Sequence, residues 1–130
     1  MPADALGRAR VAKWLAFEQE WVMRGIAGAR FRLLTGRDPG DRVDHARGAL
    51  DLLELRLDAS PWAAGAEPTI ADVGLFAYTH VAPDAGFDLI ADWPAVAAWV
   101  QRVEALPGFV NDLVPYPDNA RPGAGRSIYD

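Results

Sequence analysis

Apolar side chains recur along this chain at intervals of three and four residues, the spacing that places them on one face of a helix. The first such stretch contains no proline from Asp4 to Leu34 and predicts one long helix. It carries two apolar rows, so we expect this helix to pack on more than one side. The first row is Val11, Leu15, Val22, Ile26, Ala29 and Leu33, and the second is Trp14, Phe17, Trp21, Gly28 and Phe31.

Three further helices are predicted between breaks that are rich in glycine and proline. The second runs from about Asp41 to Ala59, and the third from Thr69 to about residue 82. The fourth begins at "DWPAV", because proline is favoured at the first helical position. No strand pattern of useful length is present, so the prediction is an all-α bundle of four to five helices. The apolar residues of the second helix are Val43, Ala46, Leu50, Leu53 and Leu57, supplemented by Leu52 and Leu55.

The chain divides into a helical domain and a short tail. Residues 1–114 hold all of the predicted helices. Residues 115–130 contain three prolines and two glycines, a composition that disfavours packed structure. We therefore expect the tail to be irregular or disordered.

The stretch "EPTIADVGLFAYTH" raises the question of whether Asp72 is a catalytic acid. Its spacing from Thr69 is that of a capping box, in which each side chain accepts a hydrogen bond from a backbone amide at the start of a helix. The residues that follow, 73–78, are apolar on all sides, which predicts a central helix with an enclosed end. We interpret Thr69 and Asp72 as a structural cap, and we identify no catalytic residue.

Composition and charge exclude several classes of function. The chain has no cysteine, which removes disulfides and thiolate metal sites and fits a reducing compartment. No apolar stretch is long enough to span a membrane and no signal peptide is recognisable, so we expect a cytoplasmic protein without a membrane partner. Residues 61–130 carry 9 acidic against 3 basic side chains, which disfavours nucleic acid as a partner.

The two histidines do not predict a metal site. His45 and His80 lie on different predicted helices, and neither has a second ligand at the usual helical spacing. We expect both to be solvated or satisfied within the bundle, and we expect no bound metal.

Residues 67–109, "EPTIADVGLFAYTHVAPDAGFDLIADWPAVAAWVQRVEALPGF", resemble the C-terminal helical domain of bacterial glutathione S-transferases. That domain has a central helix which opens with the same threonine and aspartate. The segments "RVAKWLAFEQEW" and "IAGARFRLLTG" resemble its first long helix. The resemblance covers about residues 5–110.

The resemblance implies a homodimeric enzyme that conjugates glutathione, as co-substrate, to small apolar electrophiles. In that family a thioredoxin-like domain holds glutathione and stabilises its thiolate, and nothing in these 130 residues resembles that domain. We therefore expect the chain alone to be inactive and to work with a thioredoxin-like domain, in cis or in another protein. The alternatives are a non-catalytic protein-interaction module and a small-molecule carrier.

The resemblance also implies candidates for a binding surface on the first helix. Trp14, Phe17 and Trp21, with Glu18 beside them, lie on the helix that in this family faces the electrophile and in part the second subunit. Plain core packing is the competing explanation for the same row. A substrate-binding or interface role for Trp14, Phe17, Glu18 and Trp21 is thus an expectation.

Overall fold

The structure, a computed structural model, describes residues 1–110. Within that range the chain is helical, has no strand and confirms the predicted all-α bundle. The predicted domain boundary after residue 114 and the predicted tail, 115–130, lie outside the described residues. The elements are α1 (Ala5–Phe17), a π-helical segment (Glu18–Ala27), α2 (Gly28–Leu34), α3 (Arg42–Ala59), α4 (Ile70–Thr79), a 3-10 turn (Ala82–Ala85), α5 (Leu89–Asp92) and α6 (Pro94–Glu104).

The first long helix is continuous but not regular. Helical backbone angles run through both junctions of the π segment, at Phe17 and at Gly28, so α1, the π segment and α2 form one rod. A π turn holds more residues than an α turn, which rotates the following residues relative to a straight α-helix. Leu33, which follows the π segment, is exposed, and Leu15, which precedes it, is half-buried, although the α-helical spacing predicted both on one apolar row.

The start of α6 is stabilised by a side chain from another helix. Pro94 is the first residue of α6, as predicted, and Trp93 at the cap position offers no side-chain hydrogen bond to the helix. Glu54 of α3 supplies that cap, since its two carboxylate oxygens each lie 2.9 Å from a backbone nitrogen, of Ala95 and of Val96. This contact satisfies two of the unpaired amides at the start of α6 and ties the helix to α3.

Asp72 is the centre of the core hydrogen-bond network. Its Oδ2 accepts from the backbone amide of Thr69 at 2.9 Å, and the Thr69 hydroxyl accepts from the amide of Ala71 at 3.2 Å. Its Oδ1 accepts from the backbone amide of Ala63 at 2.9 Å and from the indole Nε1 of Trp99 at 3.0 Å. One carboxylate, 1% exposed, therefore joins the start of α4 to the 60–68 connection and to α6.

No helix among residues 1–110 combines the length and the apolar character needed to cross a membrane.

Replacing Asp72 with asparagine should destabilise the fold strongly. An asparagine amide group presents N–H where Oδ1 or Oδ2 now accepts, so at least one buried donor loses its partner. We expect a loss of about 2–4 kcal/mol in the free energy of unfolding, measured by urea denaturation. Asp4→Asn is the matched control, because Asp4 caps α1 through a single exposed bond to Gly7 and asparagine caps equally well. Equal effects of the two substitutions would contradict the role assigned to Asp72.

Replacing Gly25 with alanine should also weaken the fold. Gly25 packs the π segment against α3, and an added Cβ would lie 2.6 Å from the backbone nitrogen of Ala46. The added Cβ would push the π segment away from α3. The packing that is lost outweighs the higher helix propensity of alanine, so we expect the free energy of unfolding, measured in urea, to fall by about 1–2 kcal/mol. The control is Gly65→Ala, where a Cβ would meet no atom within 4 Å and stability should stay within about 0.5 kcal/mol of the parent. If the urea midpoint of Gly25→Ala equals that of the parent, the π segment and α3 can move apart without a loss of stability, and the prediction is wrong.

Candidate functional site

Four aromatic rings form a continuous ladder along the first helix and onto α3. Trp14 meets Phe17 edge to face with ring centroids 5.1 Å apart, and Phe17 stacks with Trp21 at 6.1 Å. Trp21 in turn stacks with His45 of α3 at 4.5 Å. Trp14 is buried, whereas Phe17 and Trp21 are half-buried. The structure thus brings together the three predicted aromatic residues and adds His45.

His45 was expected to be solvated or satisfied within the bundle, and its place in the ladder was not predicted. Its Nε2 lies 2.9 Å from the backbone oxygen of Glu20. Because a carbonyl oxygen only accepts, Nε2 carries the proton and donates it. The ring is therefore held between Trp21 and a carbonyl of the π segment. Local sequence could not reveal this contact, since the two partners are 25 residues apart.

Glu18 is buried at the first position of the π segment. It is 7% exposed, and its carboxylate accepts a hydrogen bond from the Nε2 of Gln19 at 2.5 Å. It forms no ion pair within residues 1–110. A buried carboxylate with one neutral partner is costly, and such groups are more frequent at functional sites than elsewhere. A binding role for Glu18 stays a prediction.

An open apolar groove, the α1–α3 groove, runs beside the ladder. It has a volume of about 410 Å³, and Trp14, Phe17, Leu52, Leu55 and Ala59 line it. Leu52 and Leu55 were identified as additional apolar residues of this helix, and both are exposed. The inner face of α3 is formed by Ala46, Leu50, Leu53 and Leu57, which leaves Leu55 72% exposed on the groove side. Glu18 and Trp21 do not line the groove.

One end of the α1–α3 groove is basic. Lys13 and Arg56 line both the groove and an adjacent pocket of about 320 Å³, which Arg10 also lines. The Lys13 ammonium lies 5.1 Å from the centre of the Trp14 ring. Arg56 donates through Nε to the backbone oxygen of Ala63 at 2.7 Å, which fixes its guanidinium at the rim. An apolar surface therefore ends at a positive edge.

A second apolar surface, the α4 strip, lies on the central helix. Ile70, Val73 and Ala77 are exposed at helical spacing, with Val73 62% exposed. The sequence predicted a central helix with an enclosed end. The face with Asp72, Leu75, Phe76 and Thr79 is buried, so the capping carboxylate is enclosed, whereas Ile70 and Val73 of the same turn are exposed.

Within the described residues, no group of three or more His, Cys, Asp or Glu side chains is arranged to hold a metal ion. The groups that could act at the α1–α3 groove are therefore aromatic, aliphatic and cationic. Such a surface can bind an apolar body and exclude water from it.

Comparison with known proteins shows the family. The chain matches the family described as "Glutathione S-transferase, C-terminal domain" over residues 19–102. It is 29% identical over 115 residues to glutathione S-transferase D6 of Drosophila melanogaster, covering 86% of this chain and 53% of that protein. The chain thus spans about half the length of this relative.

Two solved structures show the same likeness in three dimensions. A glutathione S-transferase from Xanthobacter autotrophicus Py2 is 47% identical, with a TM-score of 0.76 over 85% of this chain and 57% of that one. A glutathione transferase homologue from Drosophila mojavensis, solved with bound glutathione, is 29% identical with a TM-score of 0.67, covering 82% of this chain and 51% of that one. The predicted resemblance is confirmed, and the chain belongs to the glutathione S-transferase family as its all-helical C-terminal domain.

Proposed function

We propose that this domain supplies the electrophile-binding wall and the dimer contact of a glutathione transferase, with glutathione as co-substrate. The observation that carries the proposal is the α1–α3 groove, an apolar surface bordered by the aromatic ladder and left open on a folded domain. Such a wall acts by orienting an apolar electrophile and by excluding water from it. The bound glutathione of the Drosophila mojavensis relative supports the choice of co-substrate.

The α4 strip supports a contact with a thioredoxin-like domain, in cis or in another protein. Three exposed apolar side chains on the central helix are costly in water, and a packed partner removes that cost. The strip lies on a different helix from Leu52 and Leu55. The thioredoxin-like domain can therefore cover the strip, while a second copy covers these two leucines and leaves the Trp14 and Phe17 side of the groove for the electrophile. In this proposal the thioredoxin-like domain stabilises the glutathione thiolate, and the helical domain receives the electrophile.

The α1–α3 groove supports association with a second copy. Its exposed leucines, Leu52 and Leu55, lie beside the cations Lys13 and Arg56, while the exposed acids Asp51 and Asp58 lie on the same helix, α3. A two-fold arrangement can bury the leucines and bring cations of one copy to acids of the other. The absence of cysteine from these 130 residues also fits a cytoplasmic location.

The relatives reported above are transferases, which favours this function over a non-catalytic interaction module. A small-molecule carrier would bind its ligand in the same groove. The self-association measurement described below tests whether a second copy covers that groove instead.

The 130-residue chain alone should not conjugate glutathione to chlorodinitrobenzene. Its described residues are all helical or irregular and supply an apolar wall, without the thioredoxin-like domain that holds glutathione in this proposal. We expect a rate equal to the uncatalysed reaction in an absorbance assay, with a complete transferase as the positive control. Saturable turnover by the purified chain would contradict the proposal that conjugation needs a thioredoxin-like domain.

The Leu55→Glu variant should weaken self-association. Burying this leucine contributes about 1.5–3 kcal/mol, so a buried carboxylate in its place should raise the dimer Kd by tenfold or more in sedimentation equilibrium. Ile90→Glu is the matched control, because Ile90 is equally exposed and lies outside the groove. A parent chain that stays monomeric at about 100 μM, or equal effects of both substitutions, would refute the dimer contact.

A further inference from the structure

A second open cavity, the α6 cleft, lies away from the surfaces described so far. It has a volume of about 590 Å³ and lies between α6 and the segment that runs from the end of α4 to α5. None of its lining residues lines the α1–α3 groove. Its apolar part includes Phe87 and Leu89, which are buried, and Val100, which is half-buried. This size is within the range of small-molecule sites, about 300–1,000 Å³.

The charged groups of the α6 cleft are all acidic. Asp88 and Glu104 line it, and no lysine or arginine does. Neither carboxylate forms an ion pair within residues 1–110. Asp88 uses Oδ1 to accept from the backbone amide of Ala91 at the start of α5, which leaves Oδ2 available. The cleft therefore carries negative charge that the described residues do not neutralise.

His80 adds an acceptor whose orientation is fixed. Its Nδ1 lies 2.7 Å from the backbone oxygen of Phe76, and a carbonyl accepts only, so Nδ1 donates. In the neutral ring the lone pair is then on Nε2. The imidazole also stacks on the Phe76 ring with centroids 4.3 Å apart and planes at 4°, which restrains its rotation. His80 lines the cleft, so a neutral imidazole there presents an acceptor rather than a donor.

We propose that the α6 cleft binds a small organic cation, namely a primary ammonium group carried on an apolar body. An ammonium group has three donors and no acceptor, and the residues that line the cleft offer acceptors in Glu104, in Asp88 and, when its ring is neutral, in the Nε2 of His80. The apolar body packs against Phe87, Leu89 and Val100. An anion of the same shape meets two carboxylates, and a neutral molecule leaves them without a counter-charge. The site is separate from the electrophile wall and does not depend on the proposed transferase activity.

Calorimetric titration of the full 130-residue chain with three ligands that share a phenylethyl group tests this site. The ligands are 2-phenylethylamine, 2-phenylethanol and 3-phenylpropionate, at about pH 8, where the amine is a cation and the acid is an anion. We expect saturable binding of the amine, at least about tenfold weaker binding of the alcohol and no measurable binding of the acid. Equal binding of amine and alcohol, or no saturation by the amine up to about 10 mM, would disprove the proposal.

Two substitutions, Glu104→Gln and His80→Asn, test whether the amine binds in the α6 cleft. Glu104→Gln should weaken amine binding by about tenfold, because it removes a charged acceptor without changing the shape of the side chain. Glu67→Gln is the matched control and should leave binding unchanged, since Glu67 is exposed in the 60–68 connection and outside the cleft. His80→Asn keeps an amide donor near the Phe76 carbonyl but removes the Nε2 acceptor, and should weaken binding severalfold. If Glu104→Gln binds the amine as the parent chain does, the cleft is not the site.

Discussion

The fold depends on one buried carboxylate. Asp72 accepts hydrogen bonds from the amides of Thr69 and Ala63 and from the indole of Trp99, and these three donors belong to different parts of the chain. A buried charge is tolerated only when its acceptors are used, and here both oxygens are. The same contacts fix Ala63, whose carbonyl in turn holds Arg56 at the rim of the α1–α3 groove. The core network thus also positions a residue of the candidate site.

Helix α4 has one buried face and one exposed apolar face. Its inner face holds Asp72, Leu75 and Phe76 in the core, while the α4 strip faces outward. A helix that is buried on one face needs only one apolar stripe, so the exposed α4 strip requires another explanation. The proposed contact with a thioredoxin-like domain would explain it, and the chain spans about half the length of its relatives. In the proposals above, the α4 strip, the α1–α3 groove and the α6 cleft each bind a different partner or ligand.

Local sequence signals predicted the helices well, because their caps and breaks act within a few residues. The start of α4 at Thr69 and of α6 at Pro94 follows from side chains next to those positions. The π segment could not be predicted, since its apolar spacing of three and four is also that of an α-helix. The exposure of Leu52 and Leu55 could not be predicted, because exposed and buried leucines look alike in a single sequence.

The remaining features depend on contacts between distant residues. Glu54 caps a helix that begins 40 residues later, and Trp99 reaches Asp72 from 27 residues away. His45 completes the aromatic ladder only because α3 packs on the π segment. Each of these polar or aromatic residues would fit an exposed helix equally well in the sequence. Their roles follow from the packing of the bundle and not from local spacing.

Hydrogen exchange at the backbone amide of Ala63 tests the central claim most directly. Ala63 lies in the 60–68 connection, outside any helix, and Asp72 is the acceptor of its amide. If that carboxylate holds the bundle together, the amide of Ala63 should exchange only through global unfolding, with a protection factor close to that of core amides such as Leu75. Exchange of Ala63 at the rate of an exposed loop amide, while Leu75 stays protected, would contradict the account.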